Sequence, residues 1–378
     1  MKIDIIGSYP PPYGGISIHI KRLSEHLREK GVACTVYDTS AAGLGGSPPE
    51  KGPDVIPITR PVTWAMKYFC TTDADIVHLD AADDWKLRLY AGLAIGWLRR
   101  KKLVITINGN DIAWPYAISC LKKPGAGFFG RLLAGLVILA HRRAAYVACT
   151  NEDIRKLMLS AGIRPGRCGT VSAFIPPVVR AEDARGLPPE VLSFLESHSP
   201  VISAGAFKIN FYRGQDVYGL DMCVALCANL KQTYPRIGVI FCLPIIGDED
   251  YFSRMNREIK EKNIGDNFMF ITRPLNEVYT IWQQSDIFVR PTVTDGDAVS
   301  LREALYLKTP SVASDVVPRP EGTVLFQTGD IEDFTARVKM VWDNYSSYKA
   351  KSEAITVAGG LDEMFQVYGK LAGTGWTG

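Results

Sequence analysis

Asp295 and Glu303 stand on either side of a small-residue turn, Gly296-Asp297-Ala298-Val299-Ser300, that runs into an apolar, helix-like segment ending near Leu305. Carboxylates in such a place can hold sugar hydroxyls. The run before them, Asp286-Ile-Phe-Val-Arg-Pro291, reads as a buried strand: apolar and β-branched, then stopped by proline. Strand, glycine-containing turn and helix together aim free backbone N–H groups and a positive dipole end at an anion. The backbone at Ala298, Val299, Ser300 and Leu301 is therefore a candidate phosphate cradle. Phosphate donors beside carboxylates suggest a site for a sugar nucleotide.

Other positions offer related chemistry. Gly14 and Gly15 follow the apolar strand Lys2 to Ile6 and open a helix that Gly31 stops. Glycine lets an anion approach the backbone, and a plain tight turn would use the same residues. The three spaced glycines of the dinucleotide fingerprint are absent. Ser203 to Gly214 follows a later strand and carries Lys208 and Arg213; either can neutralise a diphosphate, or be a solvated loop charge. Thr272 and Arg273 are candidates for contact with a nucleotide base. His78 ends the strand Asp75 to Leu79, as a structural histidine or an acceptor-side contact. Asn108 and Asp111 follow the strand Leu103 to Ile107, where they can touch a reacting sugar or simply form a turn.

The elements that must position these residues alternate between strand and helix, which predicts parallel sheets covered on both faces, an α/β class. At 378 residues two domains are expected. The Pro-rich stretch from Pro176 to Pro189 reads as a linker. The expected domains are residues 1–185, residues 186–350 and a helical tail, 351–378, that can pack back on either half. A cleft between two such halves is where ligands bind.

Composition excludes some classes. Net charge of +3 and pI near 8.3 are too mild to argue for nucleic acid. The eight cysteines lie scattered, with no zinc spacing and no secretory signal, so reduced thiols in a cytoplasmic compartment are expected. No run reaches transmembrane length. The stretch from Gly127 to Ala140, closed by His141-Arg142-Arg143, is either a buried helix or an amphipathic one resting on an anionic leaflet, with Lys122, Lys123, Arg131, Arg142 and Arg143 supplying charge.

Taken together the motifs resemble the GT-B glycosyltransferases, and within them the retaining family 4. Pro11-Pro-Tyr-Gly-Gly-Ile-Ser-Ile-His19 is similar to that family's first-loop element, and Asp75-Ile-Val-His78 and Val104-Ile-Thr-Ile-Asn-Gly109 to its next landmarks. Cys149-Thr-Asn-Glu152, and Gly205 with Tyr218-Gly-Leu-Asp221, resemble the mid-chain landmarks. Asp295 to Glu303 occupies the motif of two glutamates, and Pro310-Ser-Val-Ala-Ser314 the strand after it. The resemblance covers nearly the whole chain. Three positions depart from it: the first motif glutamate is Asp295, the usual histidine is Asn108, and Tyr218 stands where a lysine is usual.

The resemblance implies two Rossmann-like domains facing a central cleft, with the C-terminal helix crossing back to the first. It implies metal-independent, retaining hexosyl transfer from a nucleotide sugar to a glycan or polyprenyl-linked glycan, as in surface polysaccharide synthesis, with no cofactor. Glu303 would hold the ribose and Asp295 the donor sugar, with Asn108 at the reacting centre and His78 and Asp111 on the acceptor side. Gly14, Gly15, the Ala298 to Leu301 backbone and Lys208 or Arg213 would hold the diphosphate. A peripheral contact with the inner face of an anionic membrane accompanies this reading. The alternatives are a non-catalytic nucleotide-sugar-binding or scaffold protein, and a nucleotide-sugar epimerase, for which no acid/base histidine set is found.

Overall fold

The computed structural model describes residues 1–11, 13–41, 52–80, 101–108, 128–275, 277–296 and 298–373. The chain divides into two units, residues 1–178 with 358–378, and residues 179–357.

The first unit is built on a seven-stranded parallel sheet. Its strands are β1 (Lys2–Gly7), β2 (Ala33–Asp38), β3 (Val55–Pro57), β4 (Ile76–Asp80), β5 (Lys102–Ile107), β6 (Tyr146–Cys149) and β7 (Cys168–Thr170). Their spatial order is β3-β2-β1-β4-β5-β6-β7. The central strands carry apolar residues on both faces because helices cover both, so Ile3, Ile5, Ile6, Val77 and Leu79 are all fully buried. Chain order reverses between β1 and β4, and the loops leaving these strands frame the crevice where ligands bind in such sheets.

The second unit repeats the plan with β8 (Val201–Gly205), the hairpin β9 (Phe211–Tyr212) and β10 (Gln215–Asp216), then β11 (Gly238–Cys242), β12 (Phe268–Ile271), β13 (Ile287–Arg290), β14 (Ser311–Ser314) and β15 (Thr323–Phe326). Its six-stranded parallel sheet has the order β12-β11-β8-β13-β14-β15, and the switch lies between β8 and β13. Ala206 to Gly214 and Pro291 to Gly296 leave the sheet on either side of that switch.

Two boundaries differ from the sequence reading. Pro176 to Pro189 is not an open linker: Ala181–Arg185 and Pro189–Ser197 are helices of the second unit. Leu187, Val191 and Phe194 bury themselves in its core, and Tyr279 donates to Asp183 at 2.6 Å. The tail is not one piece either. Tyr345–Ala354 belongs to the second unit, whereas the helix Gly360–Ala372 packs Met364, Phe365, Val367 and Tyr368 into the first core. Side chains of this kind each stabilise by about 1.5–3 kcal/mol when buried. Gly360 is required there, since a Cβ would lie 2.1 Å from the Ser172 carbonyl oxygen.

Candidate functional site

In the second unit β13 ends in Arg290, and five residues later the chain returns as Asp295. The carboxylate is nearly buried and saturated. Oδ2 accepts from Arg290 Nε at 2.7 Å, Arg319 Nη1 at 2.7 Å and Thr292 Oγ1 at 3.2 Å; Oδ1 accepts from Arg290 Nη2 at 2.9 Å and from the Gly296 N–H at 3.0 Å. Five donors fill the four or so lone-pair directions a carboxylate has. Burial alone would push the Asp295 acid up, but the bonds and charges of the two arginines outweigh it and hold it at about 2. The sequence reading gave this carboxylate to the donor sugar. Its oxygens are instead spent on fixing two guanidinium groups.

Arg290 is the better-placed group. Its guanidinium lies 5.5 Å over the Tyr218 ring, and its Nη1 donates to Ser300 Oγ at 3.1 Å. Ser300 is in the first turn of the helix Val299–Tyr306, whose start has no side-chain cap. The bond to Ser300 brings the cation to the helix's first turn, whose N–H groups have no partner within the helix. Leu301 contributes less than its sequence position suggests, because its N–H already donates to the Ala298 carbonyl at 3.0 Å. Glu303 sits deeper in the same helix, where its Oε2 accepts from Trp282 Nε1 at 3.0 Å.

Tyr218 is held in turn by Asp216, which accepts from the N–H groups of Tyr218 at 3.0 Å and Leu220 at 2.7 Å. Gly219 has φ +65°, and a Cβ would meet the Pro291 carbonyl oxygen at 2.3 Å, so the Tyr218 loop and the end of β13 approach as only glycine permits. Arg290 and Arg319 were not singled out from sequence. The signal for Arg290 was present: a charged residue closing an otherwise apolar strand just before the motif.

Among the described residues, no hydrogen bond or ion pair joins the other second-unit candidates to this cluster. Arg213 is at the exposed tip of the β9–β10 hairpin, 5.2 Å over the Tyr212 ring. Lys208 is exposed, its backbone bridged to Ile245. Thr272 and Arg273 follow β12 at the sheet edge, two strands from the switch, and Arg273 pairs with Glu190.

In the first unit Gly14 caps the helix Gly15–Glu29, and its N–H donates to Ser17 Oγ at 2.9 Å. Neither Gly14 nor Gly15 has a positive φ, and a Cβ at Gly15 would meet nothing within 4 Å. The protein's own packing does not demand glycine here; the space beside the turn is open. At the same sheet edge His19, Asp80 and Asn108 form a chain. Asn108 Nδ2 donates to Asp80 Oδ1 at 2.8 Å, and His19 Nε2 lies 3.7 Å from Asp80 Oδ2. The His19 ring is oriented by Nδ1 against the Ala173 carbonyl at 2.9 Å. His19 was quoted only as part of a motif, and the structure places it beside the strand ends.

His78 does not face the strand-end loops. It is fully buried, with Nδ1 on the Tyr368 hydroxyl at 2.6 Å and Nε2 on Thr106 Oγ1 at 2.7 Å. Its role is structural, because a strand residue covered by the last helix has no access to a ligand. Asp111 lies outside the described residues. Among the described residues no three His, Cys, Asp or Glu side chains group to hold a metal, and no helix is long and apolar enough to cross a membrane.

Two family models divide the chain between them. Glycosyltransferase Family 4 matches residues 13–177, and Glycosyl transferases group 1 matches residues 207–355. The chain belongs to glycosyltransferase family 4. No curated protein matches the sequence. Among solved structures, Anabaena Alr3699/HepE in complex with UDP is similar over 99% of this chain and 100% of that one, with 14% identity and a TM-score of 0.63. Sucrose-phosphate synthase from Thermosynechococcus elongatus gives 16% identity and 0.58 over 99% of each chain. The lipopolysaccharide outer core galactosyltransferase WaaB gives 15% and 0.55, over 98% of this chain and all of that one. This family 4 enzyme is a glycosyltransferase with the two Rossmann-like domains of the GT-B fold.

Proposed function

We propose that this glycosyltransferase transfers a hexosyl group, with retention, from a nucleotide sugar to a glycan or lipid-linked glycan, and that it does so without metal or cofactor. One observation carries the reading: Arg290, fixed along one edge of its guanidinium by Asp295, donates with another N–H to Ser300 in the first turn of the uncapped helix that carries Glu303. A diphosphate suits that helix start. Arg290 then takes the cation's role that sequence had left to Lys208 or Arg213. The N–H groups of Val299 and Ser300 add fixed dipoles, and Glu303 accepts from the ribose hydroxyls.

Chemistry follows from where charge develops. When the anomeric C–O bond breaks, charge gathers on the departing diphosphate, and donors already in place stabilise it most. Asp295, saturated by arginines, is no free nucleophile, so nothing requires a glycosyl-enzyme intermediate. The acceptor hydroxyl attacks on the face that the diphosphate leaves, its proton passing to a phosphate oxygen, and the anomeric configuration is kept. The open Gly14-Gly15 turn and the His19–Asp80–Asn108 chain are the acceptor-side groups of the first unit. HepE was solved in complex with UDP, with UDP and glucose, and with UDP-glucose, which makes UDP-glucose the first donor to test.

The test is a thermal-shift panel of UDP-, GDP- and dTDP-sugars on the wild type and Glu303→Ala, followed by NMR of the product anomer with a donor that binds. A stabilising donor raises the midpoint by mass action. No shift with any donor, or an inverted anomer, would defeat the reading. Asn108 in the usual histidine position favours a second one, a non-catalytic nucleotide-sugar binder. Its signature is a donor shift without turnover against a pool of acceptors.

A further inference from the structure

The edge of the first sheet remote from Gly14, Asp80 and Asn108 is basic. β5, β6 and β7 are neighbours, and cations stand at the N-terminal end of each: Lys101 and Lys102 at β5, Arg142 and Arg143 before β6, Arg164 and Arg167 before β7. The Arg142 guanidinium is fixed by two bonds, 2.9 and 2.7 Å, to the Ala161 carbonyl. With Arg143, Arg164 and Arg167, which are exposed, and with Leu139 it lines a hollow of about 470 Å³ that, among the described residues, no acidic side chain lines. Among the described residues, the acids beside these strands are engaged or stand at the other end of a helix. Asp73 and Asp75 at the entry to β4 are taken by Lys2, and Glu152 and Asp153 lie at the far end of their helix.

A second observation is apolar. The helix Phe128–Arg142 ends at this edge and exposes Leu139, at 38%, in its last turn. Arg143 follows four residues later, on the same face just past the helix end. A small phosphate has no use for an exposed leucine. A bilayer surface uses both, the cations for its headgroups and the leucine for its interface.

We propose that this edge docks on an anionic lipid bilayer, the hollow's arginines holding headgroup phosphates while Leu139 enters the interface. A six-residue strand spans about 20 Å. Docking therefore holds the β1, β4 and β5 exit loops about that far above the lipid, within reach of a short glycan carried on a lipid. A lipid-linked acceptor gives the contact its purpose, and the binding itself is tested apart from that reading.

The experiment is cosedimentation of the full chain with vesicles of phosphatidylglycerol and phosphatidylcholine, against phosphatidylcholine alone, with and without inorganic phosphate at matched ionic strength. Wild type binds the anionic vesicles only, and inorganic phosphate does not displace it. A triple Arg143→Glu, Arg164→Glu, Arg167→Glu variant loses affinity on the order of 100-fold, and Leu139→Asp also weakens binding. Both variants keep the wild-type thermal shift with UDP-glucose, or the wild-type midpoint if the wild type shows none, so misfolding is detected separately. Failure of the wild type to bind, or unchanged binding by the triple variant, overturns the proposal. Displacement by inorganic phosphate overturns it too, in favour of a small-anion site. If the wild type binds vesicles but no donor, the donor reading falls and this surface stands.

Discussion

His78 and Tyr368 share a hydrogen bond of 2.6 Å in the interior of the first unit, although 290 positions separate them. With Thr106 on the other ring nitrogen, polar groups from β4, β5 and the last helix satisfy one another. That joint is part of why the end of the chain belongs to the unit that its beginning builds. Tyr368→Phe keeps the ring and its packing but leaves a buried histidine nitrogen without its partner. A loss of about 1–3 kcal/mol is expected. It is read as a lower urea midpoint at unchanged slope for the first unit; a wild-type midpoint would show that the joint contributes nothing.

The same histidine makes stability depend on pH. Burial pushes the His78 ring down from 6.5 to about 4, and Asp80 offsets that only in part. The unfolded chain therefore takes up the proton first as pH falls. The contribution is complete above about 6.5 and is lost as pH falls through 4, amounting to about 3 kcal/mol at most. Asp4, Asp216 and Asp286 are pushed up by burial and act in the opposite sense. His78→Gln isolates the histidine: its urea midpoint should change less between pH 6.5 and 4 than the wild type's. Parallel profiles would refute the assignment.

Asp295 joins two arginines, Arg290 and Arg319, that have little exposure of their own. Asp295→Asn keeps the shape and removes the charge, leaving two guanidinium groups facing each other. Breaking a buried pair in this way costs about 3–5 kcal/mol. The second unit should unfold at lower denaturant and donor affinity should fall with it. Asp295 held at about 2 also means that its contribution persists above pH 3.8 and is lost as pH falls from there through 2. A variant as stable as the wild type would show that the bridge is not formed in solution.

Much of the fold was legible because parallel strands buried on both faces spell themselves out as apolar runs, as in Ile287-Phe-Val and Lys2 to Ile6. The Pro188-Pro189 pair misled for a local reason. Proline fits the first turn of a helix as well as a linker, and Leu187, Val191 and Phe194 supplied the apolar face that decides between them. The two readings of His78, structural or acceptor-side, could not be separated for a distant reason, since no local pattern announces a hydroxyl 290 positions away. The motif's turn and helix were readable as an anion site. What its first carboxylate binds was not, because Arg319 comes 24 residues later and from another loop.

That difference bears on which cation meets the diphosphate. Lys208 and Arg213 are exposed and tied to no part of the helix start, whereas Arg290 touches Ser300, Tyr218 and Asp295 at once. Charged hydrogen bonds contribute about 1.5–3 kcal/mol each. Arg290→Gln should therefore weaken UDP-glucose binding by roughly 10- to 100-fold in calorimetry, while Lys208→Ala and Arg213→Ala stay near the wild type. Arg290→Lys discriminates further. Lysine keeps the charge but cannot bridge Asp295 and Ser300 together, so affinity should recover only in part. Full recovery would mean that charge alone matters at this position, and a loss confined to Lys208→Ala or Arg213→Ala would move the diphosphate to the β8 loop.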